Sequence, residues 1–196
     1  MESISRKAKH TRVFRRLHKW FGIVFIVFLV LIAVTAILLA WKKQWNLVPK
    51  TQQSKTEMRG NWIPVEEMIA IGQAYVRDSL GKSTELDRVD IRPDKGIAKI
   101  VFKWHFSEVQ VDGFSGEILS ISQRNSDLIE KIHDGSILDF VAGSDGETAK
   151  LTYSTLTSVA LLLLAFTGFF LWYWPRVMKR LKQRRVRKRG DARSER

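Results

Sequence analysis

Four histidines, His10, His18, His105 and His133, stand in a chain of 196 residues that contains no cysteine. Imidazole is therefore the only strong nitrogen ligand this chain can offer a transition metal, and thiolate chemistry, disulfides and iron–sulfur clusters are excluded. Each histidine also has an ordinary use. His10 falls in a basic tail and reads as surface. His18 falls beside the headgroup region of an apolar segment, where an unligated imidazole costs little. His105 is expected on the outward side of a strand, solvated, and His133 on a short helix where a capping or polar contact would occupy it. No nucleophile stands at a recognisable spacing from a base, and there is no zinc signature, phosphate loop, flavin or nicotinamide fingerprint. Glu66 with Glu67, and Asp87 with Asp90, read as helix-terminus and surface charges rather than paired catalytic acids. Hydrolase and kinase chemistry built from side chains alone is set aside.

The elements that must position these imidazoles begin with two apolar blocks. Phe21 to Ala40 runs twenty residues without a charge, which as a helix rises about 30 Å, the thickness of a hydrocarbon core. Leu151 to Trp174 is a second uncharged run, of twenty-four residues, long enough to cross with some tilt. The formal net charge of +13 sits in the flanks: residues 1–20 hold seven Lys/Arg against one acid, residues 175–196 eleven against two, and residues 42–150 fifteen against seventeen. This is the positive-inside pattern with both termini cytoplasmic, and anionic headgroups are the natural counter-charge, so nucleic acid is not expected as a partner. Trp20, Trp41 and Trp45 bracket the first span, while Trp172, Tyr173 and Trp174 close the second, as an aromatic belt does. A cleavable signal peptide fits the first span poorly, because the run is too long and exits through Ala40, Trp41, Lys42 and Lys43 without an A-x-A site. The expected organisation is a cytoplasmic segment 1–20, a span 21–41, a linker 42–61, an external domain 62–134, a loop 135–150, a second span 151–174 and a basic tail 175–196.

Within the external domain a helix is expected from Pro64, with Glu66 and Glu67 at its positive end and Val65, Met68, Ile69, Tyr75 and Val76 as its apolar face, ending near Leu80 and Gly81. Strand-like stretches follow. Val89 to Arg92 is stopped by Pro93. Ile100, Phe102, Trp104 and Phe106 alternate with Val101, Lys103 and His105, one face core and the other largely solvent. Val109 to Val111 turns through Asp112-Gly113-Phe114-Ser115-Gly116 into Glu117 to Ile121, a hairpin whose glycines permit positive φ. A short amphipathic helix, Asp127 to His133, returns toward the membrane. The fold class is thus a membrane protein with two transmembrane helices flanking a small extracytoplasmic α+β domain.

The succession of LHKWFG at the entry to the first span, VDGFSGEIL in the hairpin, IHDGSI after it, and LLLLAFTGFFLWYWPR in the second span resembles the PepSY-associated transmembrane family. Its most specific parts are His18, Trp20, Gly22, Gly116, His133, Thr167-Gly168 and Trp174-Pro175-Arg176. The family usually shows a Thr-Gly pair late in the first span, where Thr35 is here followed by Ala36. Many relatives have four spans and a longer external part, so this chain resembles a minimal two-span form with a PepSY-like domain. The resemblance implies a bacterial inner-membrane protein of iron uptake, its central domain periplasmic, and a b-type haem function in electron transfer or ferric-siderophore reduction. His18 and His133 would be the haem-iron ligands, one at each membrane face, as a transmembrane electron path requires.

Bis-histidine ligation places two nitrogens about 4 Å apart through iron, whereas His10 and His18 on one helix lie about 12 Å apart. One chain cannot supply both inner ligands, and a homodimer pairing His18 and His133 with their symmetry mates could. Ala36 with Ala40, Ser154 with Ser158 and Ala165 with Gly168 put small residues on faces that can approach closely. Two other readings stay open: a non-catalytic membrane-anchored PepSY module that binds or regulates an envelope partner, and a structural subunit of a larger redox complex.

Overall fold

The computed structural model describes residues 2–56, 60–144 and 146–194, with side chains for 11–56, 60–144 and 146–184. His10 and the distal arginines of the basic tail therefore lie outside the described side chains. The chain divides into two compact units, residues 1–33 with 138–196, and residues 34–137.

The first unit is a pair of long helices, α1 (Glu2–Ala40), whose last turns belong to the second unit, and α5 (Thr148–Ser194). Both continue beyond the uncharged runs, because the Lys- and Arg-rich flanks are good helix formers. Each contains a stretch long and apolar enough to cross a membrane, Thr11–Ala40 and Thr148–Arg184. Their large apolar side chains, Ile23, Val27, Leu162 and Phe166 among them, are exposed, as they must be where hydrocarbon is the solvent. The two helices meet through rings: Phe14 lies 4.2 Å from Phe170 and 6.3 Å from Phe166, and Phe28 meets Tyr153 edge-on at 6.0 Å. Thr157 is buried and turns its hydroxyl back onto the Tyr153 carbonyl at 2.7 Å, the usual way a membrane helix satisfies a threonine. Pro175 stands inside α5, and beside it the Arg176 guanidinium lies 4.1 Å over the Trp172 ring and donates to the Trp172 carbonyl at 2.6 Å.

The second unit is built on a four-stranded antiparallel sheet in sequential order, β1 (Leu86–Arg92), β2 (Ile97–Phe102), β3 (Ser107–Asp112) and β4 (Ile118–Gln123). Helix α2 (Val65–Leu80) covers one face. Pro64 leads into it, Glu66 and Glu67 occupy its first turn, and Gly81 closes it in the left-handed conformation, its N–H donated to the Val76 carbonyl, so start and stop follow the residues that favour each. Met68 and Val76 from α2 pack on Ala98, Ile100 and Phe102 of β2 and Val109 and Val111 of β3. Ile100 sits opposite Val89 on one side and Val109 on the other, which keeps the apolar residues in register on that face. The turn into β4 is closed by Asp112, whose Oδ1 accepts the N–H groups of Phe114 and Ser115, and by Gly116 at φ +74.

Two expectations for this sheet are overturned. The alternation proposed to run to Phe106 stops at Phe102, and Lys103, Trp104 and His105 form a turn that leaves Trp104 exposed and Phe106 at φ +52. Nor does the second face meet solvent: Lys99, Glu108, Gln110 and Asp112 are all buried. Glu108 is held by Lys99, Arg124 and Gln110, while Gln110 and Asp112 are clasped by the stretch that follows α1, expected to be a linker. Gln110 accepts from the Gln52 amide at 2.8 Å and donates to the Lys50 carbonyl at 3.0 Å, and Asp112 accepts from Ser54 Oγ at 2.7 Å and the Lys55 amide at 3.1 Å. Residues 50–55 are thus part of the folded unit. Two short helices follow the sheet, α3 (Asn125–Asp134) and α4 (Ser136–Val141), the latter within a stretch expected to be loop.

Burial alone would push the Asp112 carboxyl up, but hydrogen bonds from the Phe114 amide, the Ser54 hydroxyl and the Ser115 and Lys55 amides outweigh it and hold it below its ordinary value of 3.8. A lowered folded-state value means that this stabilisation is present above about pH 4 and is lost as pH falls through the lower folded-state value. Asp112→Asn, which turns an amide NH₂ toward one pair of donors, is expected to destabilise the domain by about 1–3 kcal/mol at neutral pH. In thermal unfolding of the full chain in detergent, followed by near-ultraviolet circular dichroism, wild type should approach the variant as pH drops below 4; parallel curves at all pH would refute this role.

Candidate functional site

His18 stands on α1 one turn before the uncharged run begins, and four residues after Phe14, whose ring contacts hold α1 against α5. At that level α5 presents Thr167, only 5% exposed. The His18 ring is half-buried, with Nδ1 2.8 Å from Thr167 Oγ1. The following residue is Gly168, where an added Cβ would lie 3.3 Å from His18 Cε1. That separation is tighter than ordinary contact, so the Thr-Gly pair serves the imidazole twice: threonine supplies the hydrogen bond and glycine the room for the ring.

His133 stands near the end of α3, and its Nδ1 lies 2.8 Å from Thr35 Oγ1 in the last turns of α1. Thr35 is also only 5% exposed. What places α3 is the polar face of the sheet. Glu108, wholly buried, is paired with Arg124 and lies 3.5 Å from Lys99. Arg124 reaches on to Asp127 in the first turn of α3 at 2.8 Å, and Arg88 from β1 meets the same carboxylate at 2.7 Å. The Ser126 amide donates to the Leu47 carbonyl at 2.9 Å, tying the start of α3 to the chain just beyond α1. Burial would raise the Asp127 carboxyl, but the Arg124 and Arg88 guanidiniums hold it below the usual range; burial lowers the Lys99 ammonium despite Glu108 beside it. The ion chain is thus a bracket whose far end carries His133.

His105 is used differently. Its Nδ1 is 2.7 Å from Ser107 Oγ, its Nε2 is 3.0 Å from the Ser83 carbonyl, and its ring stacks on Phe102. The expectation of a solvated strand residue is corrected: Nδ1 is committed to the start of β3 and Nε2 to the loop between α2 and β1. In His18 and His133, by contrast, Nε2 has no hydrogen-bond partner among the described residues. A neutral imidazole anchored through Nδ1 with Nε2 open can accept a proton or ligate a metal. Among the described residues no three His, Asp or Glu converge as a site for a bare ion.

The sequence singles out His18 and His133 as candidate ligands, and Thr35 and Thr167 only as motif positions. Their pairing with the histidines spans 98 and 149 residues of chain, beyond the reach of any local pattern. Only Thr167 stands in a Thr-Gly pair, since Thr35 is followed by Ala36, and neither position names its histidine.

Compared with known proteins, the chain matches the family described as PepSY-associated TM region over residues 15–195. No curated protein matches it.

Gly168→Ala is expected to displace the His18 ring by a few tenths of an ångström while leaving the sheet domain as it is. With ¹³C-histidine in the full chain in detergent, and each signal assigned by substitution, the His18 Cε1 resonance should move while those of His105 and His133 stay. An unmoved His18 signal would mean that residue 168 does not pack on this imidazole.

Proposed function

Because the chain belongs to the PepSY-associated TM family, as a membrane protein whose two spanning helices flank an α+β domain, we propose that it is a b-haem-binding electron-transfer component. Its setting is the bacterial inner membrane, with the basic termini cytoplasmic and the sheet domain periplasmic, and its role is reduction of a ferric siderophore in iron uptake. The observation that carries this reading is the repetition of one arrangement: His18 and His133, on different helices, each hold Nδ1 on a buried threonine and leave Nε2 open.

The donor set fits a haem iron, which takes neutral imidazole nitrogen as its axial ligand. Bound haem supplies one-electron chemistry between the ferric and ferrous states. The chain's own residues supply the rest. His18 sits at the entry to the first uncharged run and Thr35, the anchor of His133, within the last two turns of that run. The two ligands thereby serve the two ends of one apolar segment. Neither run contains a charged side chain, which keeps the path between the faces one for electrons rather than for a proton relay. Each chain offers one open imidazole nitrogen at each end, and a second copy related by a two-fold axis would complete both ligand pairs.

The test is a visible spectrum, oxidised and dithionite-reduced, of detergent-purified protein from cells supplied with haem. A bis-imidazole b-type spectrum is expected, with as many haems as chains, and His18→Ala and His133→Ala should each remove roughly half of the absorbance. Colourless protein at good purity, or colour indifferent to both substitutions, would overturn the haem reading and leave a partner-binding module to be pursued.

A further inference from the structure

Thr167 Oγ1 lies 2.8 Å from His18 Nδ1 and also 2.6 Å from the Leu163 carbonyl of its own helix, with the Leu164 carbonyl at 3.2 Å. A hydroxyl has one proton and two lone pairs. A carbonyl can only accept, so the threonine proton goes to Leu163, and what remains for the imidazole is a lone pair. His18 Nδ1 must then be the donor. We infer that Thr167 is a positioning residue that fixes the His18 imidazole as the Nδ1–H tautomer and holds its unprotonated Nε2 ready for a metal, and we extend the inference to Thr35 and His133 from the likeness of that contact. This inference rests on the haem reading for its use, and on the hydroxyl geometry for its existence.

Three observations converge on it. The bond is short and the threonine almost wholly buried, so water does not compete for the lone pair. The back-bond to Leu163 holds the hydroxyl in one orientation, so the acceptor is fixed before any ligand arrives. A threonine contact at Nδ1 recurs at His133 with Thr35, whereas His105, with both nitrogens hydrogen-bonded, has no such arrangement. Neutral histidine in water favours the proton on Nε2, the tautomer that cannot ligate through that atom, so the threonine does thermodynamic as well as geometric work. An Nδ1–H held in a hydrogen bond also makes the imidazole more basic at Nε2, which favours the ferric state of a bound haem.

The experiment uses the full chain in detergent, without haem and then loaded with it. In ¹⁵N-histidine protein without haem, long-range proton–nitrogen correlations should show His18 protonated at Nδ1 and bare at Nε2 at a pH where the ring is neutral. Thr167→Val should release it toward the Nε2–H form and Thr167→Ser should restore it; Thr35→Val should do the same for His133 alone. In the loaded protein Thr167→Val should raise the midpoint potential of the His18 haem and speed haem loss, with Thr167→Ser close to wild type. A His18 signal protonated at Nε2, or one unaffected by Thr167→Val, would overturn the inference even if haem binds. A locked Nδ1–H tautomer in a protein that takes up no haem would leave the inference standing and remove the haem reading instead.

Discussion

A hydrocarbon solvent offers a polar group nothing, so each hydroxyl and imidazole in the helix pair must find its partner within the protein. Threonine meets that demand by bonding back to its own helix, as Thr157 and Thr167 both do. Thr157 stops there. Thr167 keeps a lone pair facing a second helix, and among the described residues the donor brought to it is His18. This hydroxyl, satisfied by its own backbone and still able to accept, determines how α1 and α5 can face each other at that level. The rings of Phe14 and Phe170 and the missing side chain at Gly168 then follow as the packing that lets the imidazole arrive.

The sheet domain solves a similar problem by other means. Its sheet is buried on both faces, one by α2 through apolar contact and the other through ions and amides. A buried carboxylate such as Glu108 is costly unless charge and hydrogen bonds surround it, and here Lys99, Arg124 and Gln110 do so. A ring of isosteric apolar residues could serve stability equally well. What the ionic face adds is direction: Arg124 continues to Asp127, and Gln110 and Asp112 clasp residues 50–55. Helix α3 and the segment leaving α1 are thereby brought to one place, where His133 can reach Thr35.

The spans, the charge asymmetry, helix α2, the hairpin closed by Gly116 and the helix bearing His133 were all legible in the amino-acid sequence, because each rests on local pattern. What was not legible depended on partners far along the chain. Lys99, Glu108 and Gln110 alternate with apolar residues as a solvated face does, and nothing local says that residues 50–55 will fold over them. The alternation through Trp104 and Phe106 imitates a strand, yet His105 binds Ser83 and Ser107 and holds the chain in a turn. Thr35 and Thr167 could be recognised as helix hydrogen-bonders, but which imidazole each would meet is a property of tertiary packing.

The three described histidines separate on how many ring nitrogens the fold consumes. An imidazole recruited to hold a turn is best used at both nitrogens, since each added bond removes an unsatisfied group; His105 is of this kind and stacks its ring as well. His18 and His133 stop at one, both at Nδ1, and both on a buried threonine. Two separate helix contacts thus leave the same ring atom open among the described residues. On the haem reading proposed above, that open nitrogen is the atom an iron would take.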